Sequence, residues 1–300
     1  MFLRDRRFRV HMADKTSSWR IQKNGLPQGS VLSPCLFNIY INDLPSTCSR
    51  KFIYADDICL AAQGHTFGEV EEILNRDLEK MATFFGRWRI QPSSSKTVCC
   101  VFHLHNARAN QKLNLLLSGQ QIRHEPNPVY LGVTMDRSLT FRSHLKKSAA
   151  KLGTRNNLLS KLAIFMGHTG FNTQNITTSD LLLCNSVAEY CAPVWSRSSH
   201  INLIDSQLNE TMRIITGTLW QTPLPWLPVM SHIAPPHLRR QEAPTKLLTK
   251  IELNDSLLLH KDITSHPVSR LPSRRPIWQE WSKIFRLVSS GSMNGYLQTL

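Results

Sequence analysis

The chain has 300 residues and a mass of 34.3 kDa, which is enough for about two domains with hydrophobic cores. Hydrophobic residues make up 41% and charged residues 19%, a composition typical of globular proteins that excludes wholesale disorder. The formal net charge of +15 and the isoelectric point near 9.8 favour a polyanionic partner such as nucleic acid over a neutral metabolite. A merely basic soluble protein is the alternative interpretation.

The cysteines and the apolar segments indicate the compartment. The seven cysteines are odd in number and scattered, so we interpret them as reduced core residues. The sequence has no paired CxxC motifs and no HExxH motif, which leaves little support for a zinc site. No charged segment followed by an apolar stretch opens the chain, and no window approaches 18 apolar residues. We therefore expect an intracellular protein, nuclear or cytoplasmic, that does not span a membrane.

The first 45 residues predict two short strands, a loop and a helix. The strands are expected at residues 8–10 and 19–21, around a polar turn. The loop at residues 25–30 contains two glycines, which permit positive φ angles and close approach of the backbone to another molecule. Ser33–Pro34 predicts the helix start, with the serine as N-cap, and Pro45 should stop the helix.

The hydrophobic period changes after this helix. Two apolar runs, residues 52–55 and 58–62, flank Asp56–Asp57 and predict a tight hairpin buried on at least one face. Residues 66–69 form a capping box, and the helix that follows has an apolar stripe that would cover the sheet. Three further apolar stretches predict strands: residues 97–102, 113–117 and 129–135. The pattern is typical of an α+β fold.

The character becomes helical after Asp136. Apolar residues recur at helical spacing from 141 to 162, and two more helices are predicted at about 180–190 and 203–215. No carboxylate lies between Asp136 and Asp180, whereas basic residues are frequent there: Arg137, Arg142, Lys146, Lys147, Lys151, Arg155 and Lys161. We therefore predict three parts: an α+β domain at 1–136, a helical domain at 137–222, and a proline-rich, loosely packed extension at 223–300.

Asp56 and Asp57 are the first candidates for chemistry. Like charges held together in an apolar hairpin repel each other and are costly unless a cation offsets them. Mg²⁺ would do so, since it takes oxygen ligands and usually keeps waters or phosphate oxygens in its other positions. The alternative is a solvated acidic turn in which both carboxylates face water.

Several motifs resemble one family. Phe52–Asp57, with the sequence FIYADD, resembles the Tyr-x-Asp-Asp hairpin of reverse transcriptases, and it follows a GLPQGS segment at residues 25–30 that resembles the Pro-Gln-Gly loop, in the expected order and spacing. Residues 88–97 resemble the next motif of the palm domain, and Tyr130–Gly132 resembles the primer grip. Residues 189–195 and 207–213 are similar to jockey-type, LINE-like non-LTR retrotransposon polymerases in particular.

The resemblance implies a fold and a reaction. The fold would be a partial reverse-transcriptase palm, an antiparallel sheet with covering helices, over residues 1–136, followed by a mostly helical thumb over residues 137–222. The reaction would be RNA-directed DNA synthesis, in which a primer 3′-hydroxyl attacks the α-phosphate of a dNTP and two Mg²⁺ ions clamp the attacking and leaving oxygens. The partners would be an RNA template, a DNA primer and a dNTP.

The resemblance also implies roles for individual residues. Asp56 would be the principal metal ligand and catalytic residue, and Asp57 would assist. Residues expected against the nucleotide and template are Pro27, Gln28, Gly29, Ser30, Tyr54, Ala55 and Lys96. Those expected to hold the primer end are Tyr130, Leu131 and Gly132. Those expected along the nucleic-acid backbone are Arg142, Lys146, Lys147, Lys151 and Arg155. The simpler alternatives are a surface lysine at Lys96, ordinary strand packing at the primer grip and a solvated face on the basic helix.

The resemblance is incomplete at the metal site. The family needs a third carboxylate on a strand before the Pro-Gln-Gly loop, and only Asp5 and Asp14 precede it here, neither of them in an apolar strand. We therefore expect the first catalytic strand to lie before Met1, and we predict no primer extension by this chain alone. A second departure is Ser93, where relatives often have asparagine.

Two other functions stay open at this point. One is a non-enzymatic nucleic-acid-binding relic of a retroelement, which would use the same basic helix. The other, less favoured, is a viral RNA-templated RNA polymerase, whose hairpin usually has glycine in place of Ala55.

Overall fold

The computed structural model describes residues 5–23, 25–169 and 181–264. The chain divides into two compact units: the first comprises residues 1–101 and 107–125, and the second comprises residues 102–106 and 126–300. Both contain helices and small two-stranded sheets, so the predicted mixed α+β class is confirmed. No helix in the described ranges combines the length and the hydrophobicity that crossing a lipid bilayer requires.

In its described residues, the first unit contains one long α-helix, one short α-helix and five pairs of strands. The strands are β1 (Arg6–Phe8), β2 (His11–Met12), β3 (Lys15–Thr16), β4 (Arg20–Gln22), β5 (Arg50–Tyr54), β6 (Asp57–Ala61), β7 (Val98–Cys99), β8 (Leu116–Leu117), β9 (Gln120–Gln121) and β10 (Arg123–His124). The helices are α1 (Leu32–Tyr40) and α2 (Phe67–Trp88). The antiparallel pairs are β1–β4, β2–β3, β5–β6 and β8–β9, while β7 and β10 pair in parallel.

Helix α2 organises the core of the first unit. Its start follows the predicted capping box, since the Thr66 hydroxyl accepts a hydrogen bond from the Glu69 amide at 3.2 Å and the Glu69 carboxylate accepts one from the His65 amide at 2.8 Å. Its apolar stripe contributes buried Leu74 and Met81 to two hydrophobic clusters, which strand β6 and the β7–β9 region complete. The predicted helix that covers a sheet is therefore present.

The second unit is mostly helical. Its strands are β11 (Val129–Tyr130) and β12 (Val133–Thr134). Its helices are α3 (Arg142–Thr169), a π-helical turn (Leu181–Asn185) that leads into α4 (Ser186–Ala188), α5 (Ala192–Trp195), α6 (Asn202–Thr216), α7 (Trp226–Ser231), α8 (Pro236–Glu252) and α9 (Leu258–Thr264). The core lies between α3 and α6, where Leu145, Leu152 and Leu159 recur every seven residues with no solvent exposure.

Local structure differs from the prediction at two places. Helix α1 begins at Leu32 and not at a cap formed by Ser33, because the Ser33 hydroxyl instead donates to the Pro27 carbonyl at 2.6 Å. The single strand predicted at 129–135 is wrong: it is a hairpin that reverses at Leu131 and Gly132, which have φ angles of +46° and +78°. Glycine tolerates such an angle, so this turn could have been read from the sequence.

Residues 226–252 pack more closely than their proline content indicates. Leu227 has no solvent exposure, and Leu248 and Ile251 are also buried. The Arg240 guanidinium forms a two-point ion pair with the Asp205 carboxylate, which fastens α8 to α6, and its Nη2–Oδ2 distance is 2.9 Å. The rest of the predicted extension, from residue 265 on, lies outside the described residues.

Candidate active site

The Asp-Asp doublet lies at the tip of the predicted hairpin. Tyr54 of β5 pairs with Asp57 of β6, so Ala55 and Asp56 form a two-residue turn. Ala55 has a φ angle of +51°, in the left-handed region that an alanine adopts only at a cost of about 1–2 kcal/mol. The cross-strand pairing continues to Arg50 and Ala61, which makes this the longest ladder among the described strands.

The two faces of this hairpin differ. Cross-strand partners share a face, so Ile53 and Ile58 lie on one side and Tyr54 and Asp57 on the other. Ile58 and Leu60 pack on α2, while the opposite face is open at the tip of the hairpin, where Tyr54 is 66% exposed. Asp57 therefore lies at the open end of this face, beside an exposed aromatic ring.

The prediction of a buried hairpin is only partly correct. Strand β6 is half-buried on α2, but β5 is exposed except at Lys51, and both aspartates are exposed. The reason is that α2 covers one face of the ladder, while the other face is half-buried at Cys59, near Cys100, and open at the tip that carries Tyr54 and Asp57. Because both aspartates are solvated, their repulsion does not by itself require a compensating cation. Their link to a metal rests on the resemblance of FIYADD to the Tyr-x-Asp-Asp hairpin.

The doublet fits part of a magnesium site. Magnesium is commonly bound through one or two carboxylates plus waters and substrate phosphates, and Asp56 and Asp57 provide two accessible carboxylates. No group of three or more acidic, histidine or cysteine side chains able to hold a metal occurs among the residues that the structure describes. Asp5 and Asp14 are exposed, and Asp14 lies in the turn between β2 and β3. The doublet thus has no third carboxylate partner in this part of the chain.

The Pro-Gln-Gly loop is held at its ends and open in its middle. The Ser30 hydroxyl accepts a hydrogen bond from the Leu32 amide at 3.3 Å, and the Ser33 hydroxyl is bonded to the carbonyl of half-buried Pro27. Gln28 and Gly29 are exposed between these anchors. Gly29 has a φ angle of +84°, and no atom of the described residues lies within 4 Å of the position that a Cβ would take. Glycine is needed here for backbone conformation, and the space beside it is free for another molecule.

Helix α1 joins this loop to the rest of the first unit. The Tyr40 hydroxyl donates to the Trp88 carbonyl, and the two rings meet edge to face with centroids 5.5 Å apart. Leu44, just beyond the helix, packs in the same cluster as Ile58 and Leu60 of the hairpin. The helix end and the hairpin therefore share the C-terminal part of α2 as their support.

Lys96 lies in an exposed turn. The amide and the hydroxyl of Thr97 both donate to the Ser93 carbonyl, at 2.9 and 2.8 Å, and the Lys96 amide donates to it at 3.2 Å. The Lys96 side chain is exposed, which suits a phosphate contact and a surface lysine equally. Ser93 thus serves as the acceptor that closes the turn.

A buried carboxylate, which sequence reasoning missed, fixes the base of the hairpin that carries Asp56 and Asp57. Asp77 of α2 has no solvent exposure, and its two oxygens accept hydrogen bonds from the Cys48 and Ser49 amides at 3.1 and 2.6 Å. Lys80 Nζ lies 3.7 Å from the same carboxylate. Since β5 begins at Arg50, Asp77 holds the chain where it enters the hairpin. Its position on the buried stripe beside Leu74 was the available signal.

Asp77→Asn should destabilise the chain by about 2–3 kcal/mol, because an amide nitrogen would replace one acceptor and leave a buried backbone N–H without a partner. Burial raises the pKa of Asp77, but the hydrogen bonds from Ser49 and Cys48 and the charge of Lys80 together lower it. The folded pKa therefore lies below the unfolded value of about 3.9. The ionised carboxylate stabilises the fold above that pH, and this contribution is lost as the pH falls through the folded pKa.

Urea denaturation of the wild type and the Asp77 variant, at several pH values, measures both effects. The control is Glu72→Gln, which removes an exposed carboxylate paired with Arg76 on the same helix and should change the unfolding free energy by less than about 0.5 kcal/mol. Equal losses of unfolding free energy in the two variants would show that the hydrogen bonds of Asp77 do not stabilise the fold.

The predicted primer grip is the β11–β12 hairpin of the second unit. The Tyr190 hydroxyl donates to the Leu131 carbonyl at 2.7 Å, and a Cβ on Gly132 would lie 3.2 Å from the Tyr190 ring. The Thr134 amide donates to His144 Nδ1 at 3.4 Å. Burial, followed by the charges of nearby lysines, lowers the pKa of His144, so its ring stays neutral and can accept this bond. The hairpin is thereby attached to α3 and to the segment before α5.

Tyr190→Phe should loosen this hairpin, because the Leu131 carbonyl loses its partner while the ring stays in place. The expected loss is about 1 kcal/mol, which corresponds to about fivefold faster hydrogen exchange at the amides of β11 and β12. Gly132→Ala and Gly217→Ala are a matched pair, since both glycines have positive φ but only Gly132 contacts a ring. If both alanine variants lose the same free energy of unfolding, the contact between Gly132 and Tyr190 does not stabilise the hairpin.

The predicted backbone-binding residues lie along α3 of the second unit. Arg142, Lys146 and Lys151 are exposed. Lys147 is exposed too, and its ammonium lies 3.3 Å from the Thr134 hydroxyl. Arg155 differs, because its guanidinium donates to the Leu183 carbonyl and so fastens the π-helical turn to α3. Among the described residues, the side chains of Arg142, Lys146 and Lys151 form no hydrogen bond or ion pair and are accessible to a polyanion, while Arg155 also has a structural contact.

Comparisons with known proteins identify relatives of the chain. Residues 2–135 match the sequence model of a family described as reverse transcriptase (RNA-dependent DNA polymerase). The chain is 30% identical over 234 residues to the probable RNA-directed DNA polymerase from transposon BS of Drosophila melanogaster, which covers 72% of this chain and 25% of that protein. It is 27% identical over 231 residues to the RNA-directed DNA polymerase from mobile element jockey of the same organism, covering 73% and 25%.

A third relative extends the comparison to another insect. A Pol polyprotein from type-1 retrotransposable element R1 2 of Nasonia vitripennis is 27% identical over 135 residues, 43% of this chain and 33% of that protein. No solved structure matches the chain significantly. The chain spans about a quarter of the length of the BS and jockey polymerases. Through residues 2–135 it belongs to the reverse transcriptase family, and its relatives are RNA-directed DNA polymerases of non-LTR retrotransposons.

Proposed function

We propose that this chain supplies the catalytic hairpin and the primer-holding elements of a retrotransposon RNA-directed DNA polymerase. The substrates are a dNTP, an RNA template and a DNA primer. One observation carries the proposal: Asp56 and Asp57 occupy the exposed tip of a rigidly based hairpin within the segment that matches the reverse transcriptase family.

Asp56 and Asp57 are the residues of this chain that hold Mg²⁺, with Asp56 as the principal ligand. When bound, the metal neutralises phosphate charge and activates the primer hydroxyl. The chain's own contribution is positional: the β5–β6 ladder fixes the turn, Asp77 fixes the base of the ladder, and the open face leaves room for substrate. Completion of the site requires a further carboxylate from outside the described residues.

The remaining motif residues bind nucleotide and nucleic acid. Gln28 and Gly29 lie against the nascent base pair, since the space next to Gly29 is free. Tyr54 offers an exposed ring on the face that bears Asp57, and Lys96 contacts the triphosphate as a point charge. Tyr130 to Gly132 holds the primer end, and the exposed basic residues of α3 follow the backbone of the template–primer duplex.

The test is RNA-templated primer extension by a chimera. Residues 1–240 of this chain replace the aligned segment of the jockey polymerase, so the other parts of the enzyme are supplied. We expect the chimera to incorporate dTTP on a poly(rA)–oligo(dT) substrate in Mg²⁺, and the isolated chain to show no extension. A chimera that binds template–primer as tightly as the parent but has no activity would count against the proposed role of this segment.

A further inference from the structure

The first strands of the chain form two successive two-stranded ladders, β1–β4 and β2–β3. We call this segment, residues 6–22, the N-terminal ribbon. Arg6 pairs with Gln22 and Phe8 with Arg20, whereas His11 pairs with Thr16 and Met12 with Lys15. Between the Phe8–Arg20 and His11–Thr16 pairs, one side of the ribbon has two residues and the other has three, which indicates a bulge near Ser17. The Ser17 amide and hydroxyl bridge the bulge through Val10, at 2.9 Å each.

The ribbon exposes large apolar side chains on both faces. All residues from Arg7 to Lys23 are exposed. Phe8 and Ile21 lie on opposite faces of the β1–β4 ladder, since their cross-strand partners are Arg20 and Arg7, and their exposures are 45% and 62%. Met12 is 75% exposed and Trp19 is 60% exposed. An isolated two-stranded hairpin is marginally stable in water, so a ribbon of this composition is expected to gain stability from a ligand.

The charge of the ribbon indicates the chemistry of that ligand. Between residues 5 and 23 the basic side chains outnumber the acidic ones: Arg6, Arg7, Arg9, Lys15, Arg20 and Lys23 against Asp5 and Asp14. The side chains of Arg7, Arg9 and Arg20 form no ion pair with a carboxylate in the described ranges. A polyanion complements this surface, whereas a neutral apolar partner would leave these cations desolvated and unpaired.

The Arg9–Trp19 pair in the ribbon combines an exposed aromatic ring with a positive charge. The Arg9 guanidinium carbon lies 4.8 Å from the centre of the Trp19 ring. An exposed indole with an arginine stacked on it presents a flat surface for a base and a positive charge for the neighbouring phosphate. Arg7, two residues before Arg9 along the chain, adds a second exposed cation. Stacking needs an unpaired base, so the arrangement suits a single strand better than a duplex.

We propose that the N-terminal ribbon binds single-stranded nucleic acid, with a base stacked on Trp19 and phosphates paired with Arg7 and Arg9. The identification of this strand as the unpaired RNA template rests on the proposed polymerase function. The binding itself does not, because it needs no metal and no catalysis. Binding of the strand orders the ribbon, and loss of the Trp19 surface weakens binding without altering the hairpin that carries Asp56 and Asp57.

The experiment measures binding by fluorescence anisotropy with the full 300-residue chain. The probes are a labelled single-stranded RNA of about 12 nucleotides and a DNA strand of the same length, with the matching duplex as a third probe. Trp19→Leu should weaken binding of the RNA strand by about tenfold, while Trp19→Phe should keep most of the affinity. Arg9→Gln should reduce the slope of log K against log salt by about 0.7.

The matched control is a second exposed tryptophan with the same kind of partner. Arg213 lies 4.6 Å from the centre of the Trp220 ring, and Trp220 is 74% exposed in the second unit. Trp220→Leu should leave RNA binding within about twofold of the wild type, a change too small to reflect the loss of a stacked base. Equal losses for Trp19→Leu and Trp220→Leu would overturn the proposal, because general exposure of tryptophan would then explain them.

Three other outcomes also overturn it. The first is unchanged binding by both Trp19→Leu and Arg9→Gln, and the second is tighter binding of the duplex than of either single strand. The third is a change in oligomeric state by light scattering in Trp19→Leu without a change in RNA affinity, which would make the ribbon a protein-binding surface. Circular dichroism of each variant establishes that it is folded. These measurements are independent of primer extension. A chimera without polymerase activity can therefore be distinguished from a ribbon that does not bind RNA.

Discussion

Asp56→Asn is expected to reduce RNA-templated primer extension by the chimera at least about 10³-fold. Asparagine keeps the size of the side chain and one oxygen but removes the negative charge that a hard cation requires. A bound metal contributes several kcal/mol to stabilising the charge of the transition state, and each ~1.4 kcal/mol is a factor of ten in rate. Single-turnover rates at saturating dTTP measure the effect on chemistry separately from nucleotide binding.

Two variants define the specificity of this result. Asp43→Asn changes the same charge at an exposed site in the same unit and should leave the rate within about twofold, as expected for a surface substitution. Asp57→Asn should have an intermediate effect if Asp57 assists Asp56. A rate for Asp56→Asn within a few fold of the chimera would remove the doublet from the mechanism. Template–primer affinity should be the same for all three variants, since the backbone contacts are assigned to α3.

The sequence predicted the elements whose signals are local. The capping box at Thr66 and Glu69 and the apolar stripe of α2 are patterns within one helix, and both occur as predicted. The hairpin at residues 50–61 follows from two apolar runs separated by two acidic residues, but its two-residue turn is Ala55–Asp56, one position earlier than the runs indicated, so Asp57 is the first residue of β6. The motif carried the position of Asp56 and Asp57 directly, because it is a continuous string in the sequence.

What could not be predicted depends on contacts between distant residues. The burial of Asp77 becomes interpretable only when the Cys48 and Ser49 amides are placed against it, nearly thirty positions away. The contact between Tyr190 and the Leu131 turn joins residues 59 positions apart. The exposure of strand β5 was also missed, because apolar runs indicate that a surface can be covered and not which face is covered. Propensity is local, whereas these features are properties of packing.

The second large effect concerns the helix that carries the basic residues. Leu152→Ala should lower the unfolding free energy by about 3–4 kcal/mol, because the Leu152 side chain has no solvent exposure and its removal leaves a cavity in the core between α3 and α6. Leu158→Ala is the matched control on the same helix: Leu158 is 49% exposed, and the expected loss is below about 1 kcal/mol. Urea denaturation followed by circular dichroism at 222 nm, the standard wavelength for α-helix, measures both.

The same pair of variants separates the stability of α3 from its proposed contact with nucleic acid. Leu152 faces the core, whereas Lys146 and Lys151 are exposed on the same helix. Below the unfolding transition, Leu152→Ala should therefore leave the salt dependence of template–primer binding unchanged. A Lys146→Gln and Lys151→Gln double variant should instead lower the slope of log K against log salt by up to about 2, with no more than a small change in stability. If the double variant has the wild-type slope of log K against log salt, the exposed face of α3 is merely solvated and does not contact nucleic acid. If Leu152→Ala has a lower slope, the core and not the surface charge controls binding.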